Sequence, residues 1–467
     1  MDAETREITV RREGKKSDRR STCHHSRRPV PPSRLTRMHD IKSDTSLSWP
    51  SRHRSVRQSA PCDGALRLGI VTFNEGLVPY CVANSTRRDV DGTCPGAGPF
   101  ARAWATRLTA ARCNIVALGL QESLSEAVAE TLLRELDAAS SGDAETAAQH
   151  WKVLHRGELR GVGKGGRRSL RLVVFACTDG CGGSVRVVAS GSSECPRPLG
   201  VSRWTAAGLR LSAQSLGKSK GLVWARLAAS FRRERRVFFT LTTAHLPFGD
   251  DYEAFLLARR TCLRAAAGLE CFETRSYPAH ASFLFGDLNF RSSAPGQQTS
   301  VRADWPPPKD DPSMHVLGEG DFRTLWCGRD DDEAGDELGR VLAAAGRQGW
   351  MAGQRPVRWR EDLGGEGSRA HPFVPTCKLA LNRDAECQRA EPGSMPLRCF
   401  AWQKRTPSWC DRILVWVDSA KVSVLPQSYT RVDVGTMNLT DHASVVGVYD
   451  LTVQTPHEDN DADTGTQ

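Results

Sequence analysis

No stretch of this 467-residue chain is long and apolar enough to cross a bilayer as a helix. The first residues, Met1-Asp-Ala-Glu-Thr-Arg6, lack the apolar core of a secretory signal. The last, Thr464-Gly-Thr-Gln467, lack a prenylation cysteine. No internal repeat is found. Any membrane contact is therefore expected to be peripheral, and a cytoplasmic location follows. The 15 cysteines are odd in number and spread over a long chain with no leader. They are expected to be free, buried thiols in a reducing setting rather than a disulfide framework. Cys177 and Cys181 flank a turn but lack two further spaced ligands for zinc.

Composition is that of a globular protein, 39% hydrophobic and 25% charged. The net charge of +10 is uneven, with about +8 of it in the first sixty residues. Residues 1–64 are rich in Arg, Ser and Pro without periodicity and are expected to be a disordered basic tail. Such a tail is either solvated or an electrostatic hook for anionic lipid. Residues 455–467 are expected to be an acidic disordered tail. Between them, residues 65–454 read as one large domain. Apolar runs predict strands at Leu66–Phe73, Ile115–Leu120, Leu170–Phe175, Val185–Val188, Gly221–Leu227, Val237–Thr242, Ile413–Val417 and Ser444–Tyr449. Helices are predicted around Phe100, Trp104 and Leu108, and over Asp251–Leu269. Another, carrying Leu124, Val128, Leu132 and Leu136, should follow a capping box at Ser123 and Glu126. Residues 292–312 read as an insertion, and 328–335 and 364–368 as surface loops. Many strands with few helices predict two packed sheets flanked by helices.

Several apolar strands end in polar residues that are costly to bury unless paired or metal-bound. The run Phe283-Leu-Phe-Gly-Asp-Leu-Asn-Phe-Arg291 delivers Asp287, Asn289 and Arg291. The run Pro407-Ser-Trp-Cys-Asp-Arg-Ile-Leu414 places Asp411 and Arg412 just before another strand. Asn74 ends the first strand, Glu122 the second, and His245 the strand through Thr242-Thr-Ala-His245. A basic turn, Leu216-Gly-Lys-Ser-Lys-Gly221, precedes a further strand, and Asp441 and His442 precede the last. A carboxylate held by an amide near a hard cation can position and deprotonate a water. Cations clustered nearby suit a phosphorylated ligand.

In this order the motifs resemble those of the inositol polyphosphate 5-phosphatase family, within the endonuclease/exonuclease/phosphatase superfamily. The resemblance covers roughly residues 65–454. It implies a four-layer α/β/β/α sandwich of two mixed sheets, an α+β fold like that of deoxyribonuclease I. It implies a Mg2+-dependent phosphatase acting on the 5-phosphate of phosphoinositides, and on soluble inositol polyphosphates, at a membrane surface and not on nucleic acid. By resemblance Glu122 is the main Mg2+ ligand, with Asn74 and Asp441 beside it. Asp287 is the base, oriented by Asn289. His245 and His442 bind the scissile phosphate, and Asp411 holds His442. Lys220, Arg291, Lys378, Lys404, Arg405 and Arg412 surround the substrate.

The chain departs from the family pattern at Ser219 and Thr243, each where Asn is usual, at Cys377 where Tyr is usual, and at Ser444 where Pro is usual. Two other readings compete. One is a different phosphodiesterase of the same fold, such as an abasic endonuclease or a sphingomyelinase. The other is a non-catalytic phosphoinositide-binding scaffold.

Overall fold

The structure is a computed structural model. It describes residues 65–76, 98–140, 150–161, 168–178, 184–195, 220–231, 236–248, 252–271, 279–291, 336–346, 350–352, 355–361, 373, 375–380, 399–401, 407–432 and 440–454. Both tails, the insertion, the two surface loops, Ser219, Lys404 and Arg405 lie outside the described residues.

Thirteen described strands run in chain order from β1 to β13. They are β1 (Ala65–Asn74), β2 (Ile115–Ser123), β3 (Trp151–Arg160), β4 (Ser169–Cys177), β5 (Val185–Glu194), β6 (Gly221–Ser230) and β7 (Arg236–His245). There follow β8 (Ala281–Asp287), β9 (Trp350–Ala352), β10 (Arg355–Val357), β11 (Asp411–Val417), β12 (Val422–Val432) and β13 (Ser444–Val453). Four helices intervene, α1 (Gly98–Ala110), α2 (Ala127–Ser140), α3 (Tyr252–Cys271) and α4 (Glu337–Gly346).

Six strands form one sheet in the order β12-β13-β1-β2-β4-β3, and five form a second in the order β11-β8-β7-β6-β5. Strands β9 and β10 form a separate hairpin. Each large sheet has one parallel pair, β1 with β2 and β7 with β8, and antiparallel neighbours on either side. A parallel pair needs a crossover, and helices α1 and α3 lie in those two connections.

The strand period of two decides which face each residue serves. Leu68, Ile70, Ile115, Ala117, Phe239, Leu241, Phe283, Phe285, Ile413 and Val415 form the core between the sheets. Their alternates on the six-stranded sheet, among them Val116, Leu118 and Phe175, pack against Phe100, Trp104 and Leu132 of α1 and α2. On the five-stranded sheet Leu284, Leu414 and Trp416 pack against Leu263 and Ala266 of α3 and Leu338 of α4. The layers are thus helix, sheet, sheet, helix, which is the expected α/β/β/α sandwich.

Some local expectations are corrected. Ser123 is the last residue of β2 and pairs with Ser169, so it is not a helix cap. Helix α2 starts at Ala127, whose amide donates to the Ser125 hydroxyl at 3.3 Å. Leu124 therefore precedes the helix, and Glu126 pairs with Arg156 and Arg171 instead. Strands β3 and β12 were not predicted. Both are sheet edges, and their alternation is diluted by charges and, in β12, by Pro426 at a register irregularity. Edge strands tolerate both features. The cysteines are not all free, because Cys195 and Cys262 form a disulfide across 67 residues and Cys399 is also disulfide-bonded. Linear spacing gives no pairing at such separations.

Candidate active site

The inner-face rows of several strands change from apolar to polar at one end of the sandwich. Row 66, 68, 70 on β1 continues to Thr72 and Asn74, and row 115, 117 on β2 continues to Gln121. On the other sheet, row 239, 241 of β7 continues to Thr243 and His245, and row 283, 285 of β8 to Asp287. Asp411 opens β11 on that face, ahead of Ile413 and Val415. His245, Asp287 and Asp411 stand in register across three neighbouring strands. Neighbouring strands are about 4.8 Å apart, so three ionisable side chains are set side by side by the ladder itself.

Asp287 is 2% exposed. Its Oδ2 accepts from the Asn74 amide at 2.8 Å, across the gap between the sheets. Its Oδ1 accepts from the Asn289 backbone N–H at 3.0 Å. His245 Nε2 is 3.5 Å from Oδ2. Burial pushes the Asp287 carboxyl up, but the His245 hydrogen bond and the charges of His442, His245 and Lys220 hold it well below the carboxylate range. Gly286, at φ 143°, makes the approach possible, since a Cβ there would sit 1.9 Å from the Ala244 carbonyl oxygen.

The orienting contact expected of the Asn289 side chain is made by Asn74 instead. Asn74 is the side chain that orients Asp287, and its Oδ1 accepts from the Gly76 N–H at 2.8 Å. The Asn289 side chain is held elsewhere. It donates to the Leu246 carbonyl at 3.0 Å and accepts from Arg291 Nη2 at 2.7 Å. Its help to Asp287 comes from its backbone, held at φ 54°.

Asp411 is fully buried, and its Oδ2 lies 2.9 Å from His442 Nδ1. Burial pushes its carboxyl up to about 6 against the pull of His442. Burial alone would lower the His442 pKa, but the Cys377 sulfur and the Asp411 carboxylate outweigh it, so His442 is raised well above an ordinary histidine. His442 Nε2 points toward Asp441 Oδ1 at 3.8 Å. His245 shifts the other way, lowered first by burial and then by the Lys220 charge, and Lys220 Nζ contacts its Nε2. The two histidines near Asp287 are thus shifted in opposite directions.

Glu122 sits in a register irregularity of β2, at φ 54°. A bulge of this kind re-aims a side chain, and Glu122 Oε1 lies 4.0 Å from His245 Nε2. Its carboxylate pairs with Arg168, and that of Asp441 pairs with Lys378. Among the described residues no three His, Cys, Asp or Glu side chains converge closely enough to hold a metal. Glu122, Asn74 Oδ1 and Asp441 are nevertheless an oxygen-only set. That set fits Mg2+, which takes one or two carboxylates and keeps several waters.

Two expected substrate contacts are not met. Arg412 is fully buried, and Asp336, Glu361 and the Trp409 carbonyl take up its guanidinium. It faces α4, away from Asp411, because adjacent strand residues point to opposite faces. Arg291, 5% exposed, is spent on Asn289 and Cys377, with its plane 4.3 Å from the Phe248 ring centroid. Lys220 and Lys378 lie at the site and are only partly buried.

The sequence reading missed the buried Glu337. Its carboxylate pairs with Arg259 of α3 and accepts from the Arg291 backbone N–H at 2.9 Å, bracing the loop after β8. It also missed Thr376, whose hydroxyl accepts from the Asp411 N–H at 3.2 Å. Two departures from the family pattern have clear uses. Thr243 accepts from Gln121 at 3.1 Å across the sheets. Ser444 accepts from Trp104 and donates to the Val432 carbonyl, both at 2.9 Å.

The sheet order and the layers define the class, an α+β protein built as a four-layer α/β/β/α sandwich with a polar cluster at one end. No family model matches the chain, and no curated protein does. Solved structures similar to it include a Cimex nitrophorin ferrous NO complex, at 13% identity and TM-score 0.40, covering 83% of this chain and 99% of that one. The human Nocturnin catalytic domain with bound sulfate is similar at 10% identity and TM-score 0.39, over 85% and 97%. ANGEL2, described as a 2',3'-cyclic phosphatase, is similar at 11% identity and TM-score 0.40, over 84% and 99%. Likeness of this degree assigns no activity; the fold rests on the sheet order and the layers.

Proposed function

We propose that the protein is a Mg2+-dependent phosphatase that removes the 5-phosphate from phosphoinositides, such as the 4,5-bisphosphate or 3,4,5-trisphosphate lipids, and from soluble inositol polyphosphates. The observation that carries the reading is the His442–Asp411 pair at 2.9 Å, with Asp411 in strand register beside an Asp287 clamped by Asn74 at 2.8 Å.

A phosphate monoester hydrolyses very slowly without help, so catalysis must position a water and neutralise charge on the phosphoryl oxygens. Asp287 holds the water and takes its proton. His442, kept as imidazolium by Asp411, donates to a phosphoryl oxygen. His245 donates to a second, and Lys220 beside it adds charge. Lys378 at the rim engages a neighbouring ring phosphate. Glu122, with Asn74 Oδ1 and Asp441, would hold Mg2+, which supplies polarisation of the phosphoryl group. Arg168 and Lys378 now sit on two of those carboxylates and would swing toward the anionic ligand. Peripheral contact with a cytoplasmic membrane surface, with the basic segment 1–64 as its anchor, belongs to the same proposal.

Phosphate release from a panel of phosphoinositides and soluble inositol polyphosphates, with Mg2+ and with chelator, tests it. Turnover only on an abasic duplex or a phosphodiester lipid would replace this reading with another enzyme of the same fold. Lipid binding without Mg2+-dependent turnover would favour the scaffold reading.

A further inference from the structure

Both main-chain polar groups of Arg291 are taken by one residue. Glu337, the first residue of α4, donates its N–H to the Arg291 carbonyl at 3.1 Å. Its Oε2 accepts from the Arg291 N–H at 2.9 Å. Its Oε1 pairs with Arg259 Nη2 from α3, and both side chains of that pair are 2% exposed. The first N–H groups of a helix have no partner within it, and the helix dipole favours a carboxylate in the first turn. Glu337 satisfies its own N–H on the loop after β8, and its carboxylate returns to the same residue.

The same ion pair reaches the exit of β7. Arg259 Nη1 donates to the Pro247 carbonyl at 3.3 Å, and its guanidinium lies 5.2 Å from the Phe290 ring centroid. Pro247 comes just after His245 in sequence, and Arg291 just after Asp287. The two exits are joined again nearer the strands. Arg291 Nη2 donates to Asn289 Oδ1 at 2.7 Å, and Asn289 Nδ2 donates to the Leu246 carbonyl at 3.0 Å. The Leu246 N–H donates to the Asp287 carbonyl at 2.9 Å, and the Asn289 N–H donates to Asp287 Oδ1 at 3.0 Å. Asn289 does so at φ 54°, a left-handed conformation that is costly for a residue other than glycine and lasts only where neighbours enforce it. The enforcing contacts run back through Arg291 to Glu337.

We propose that Glu337, paired with Arg259, is a positioning residue for Asp287 and His245, so that α3 and α4 together hold the water-binding carboxylate against the phosphate-binding imidazole. The effect on turnover rests on the proposed function, and the effect on the two strand exits does not. Neither side chain touches the substrate. Loss of the pair leaves His245 and Asp287 in the strand ladder but releases the turn at Asn289, and with it the fixed donor to Asp287 Oδ1. A small misplacement of a reacting group slows the chemical step. Lys220 and Lys378 still bind the substrate, so the loss falls on kcat rather than on KM.

The test uses the full chain. Glu337→Gln keeps the volume and an acceptor oxygen but leaves the Arg259 guanidinium buried without its counter-charge. Its kcat for phosphate release should fall about tenfold or more, with KM changed by less than about twofold. Asp450→Asn is the control, since it cuts the Arg67–Asp450 pair about 23 Å along β1 from Asn74. The control should keep the wild-type kcat per folded molecule. Hydrogen–deuterium exchange reads the same geometry without turnover. In Glu337→Gln the amides of Leu246, Asn289 and Arg291 should lose protection while those of β3 and β4 keep it. Protection lost evenly over the chain, or a kcat no lower than that of the control, would make the pair plain architecture and overturn the proposal. Should Glu337→Gln not fold, Arg259→Lys keeps the buried charge paired but cannot also reach the Pro247 carbonyl. Exchange at Leu246 should then rise, and unchanged protection there counts against the proposal. A wild-type protein that releases no phosphate from any inositol substrate, with the local exchange loss present in the variant, would sink the proposed function and leave Glu337 and Arg259 holding both exits.

Discussion

Asp411 and Arg412 are neighbours, both charged and both fully buried, yet they serve different ends. Asp411 faces the gap between the sheets, holds His442, and leaves its Oδ1 without a hydrogen-bond partner. Arg412 faces α4, where Asp336, Glu361 and a carbonyl take up four of its five N–H donors. Burial and charge alone therefore do not mark a site. What separates the two is whether the surroundings complete the group's bonding. A completed network is architecture, and one left short of a partner has capacity for a ligand.

Substitutions on each side of β11 can break or sharpen that contrast. On the open side, Asp287→Asn should lower phosphate release by about 10^3-fold or more with melting temperature nearly unchanged. Activity near wild type would remove Asp287 from the chemistry. On the closed side, Arg412→Met should cost about 3–5 kcal/mol of stability in chemical denaturation, because two carboxylates would remain buried without their cation. A loss of activity per folded molecule with stability intact would reverse the assignment of Arg412. Asp411→Asn should lower kcat about 10^2-fold and move the basic limb of the pH–rate profile to lower pH. The sign follows from His442, whose folded pKa is raised above its ordinary 6.5. The stabilising effect of its pairing is present below that ordinary value and is lost as pH rises through the folded one. An unmoved basic limb would show that Asp411 does not set the His442 charge. Lys378→Met, at the rim, should raise KM about tenfold on ring substrates with a vicinal phosphate and change kcat little. An unchanged KM would leave Lys378 as the partner of Asp441 alone.

Much of the fold was legible because the core strands are near-continuous apolar runs, and the polar residues at their exits continue the same inner-face period. Asn74, His245 and Asp287 could be found by extending each row. The roles within the site were less legible. Asn74 and Asn289 have the same chemistry and similar strand-end positions, and only the distance across the sheets tells which amide reaches Asp287. Arg412 was misread because its neighbours in sequence are site residues, whereas its partners, Asp336 and Glu361, lie 76 and 51 residues away. A strand's two faces turn adjacent residues into members of different layers. Glu337 gave a weak signal. It lies in the first turn of α4, just after Asp336, whose carboxylate accepts from the Gly339 N–H. The disulfides gave none.

The alignment of His245, Asp287 and Asp411 across three hydrogen-bonded strands governs how this protein can change length. The ladder acts as a ruler for the site, while the loops only have to return the chain to it. A single residue added or lost within β8 shifts that ruler. It would turn Asp287 outward toward α3 and bring a neighbour that cannot replace it into the gap, so the short strand tolerates substitution far better than a change of count.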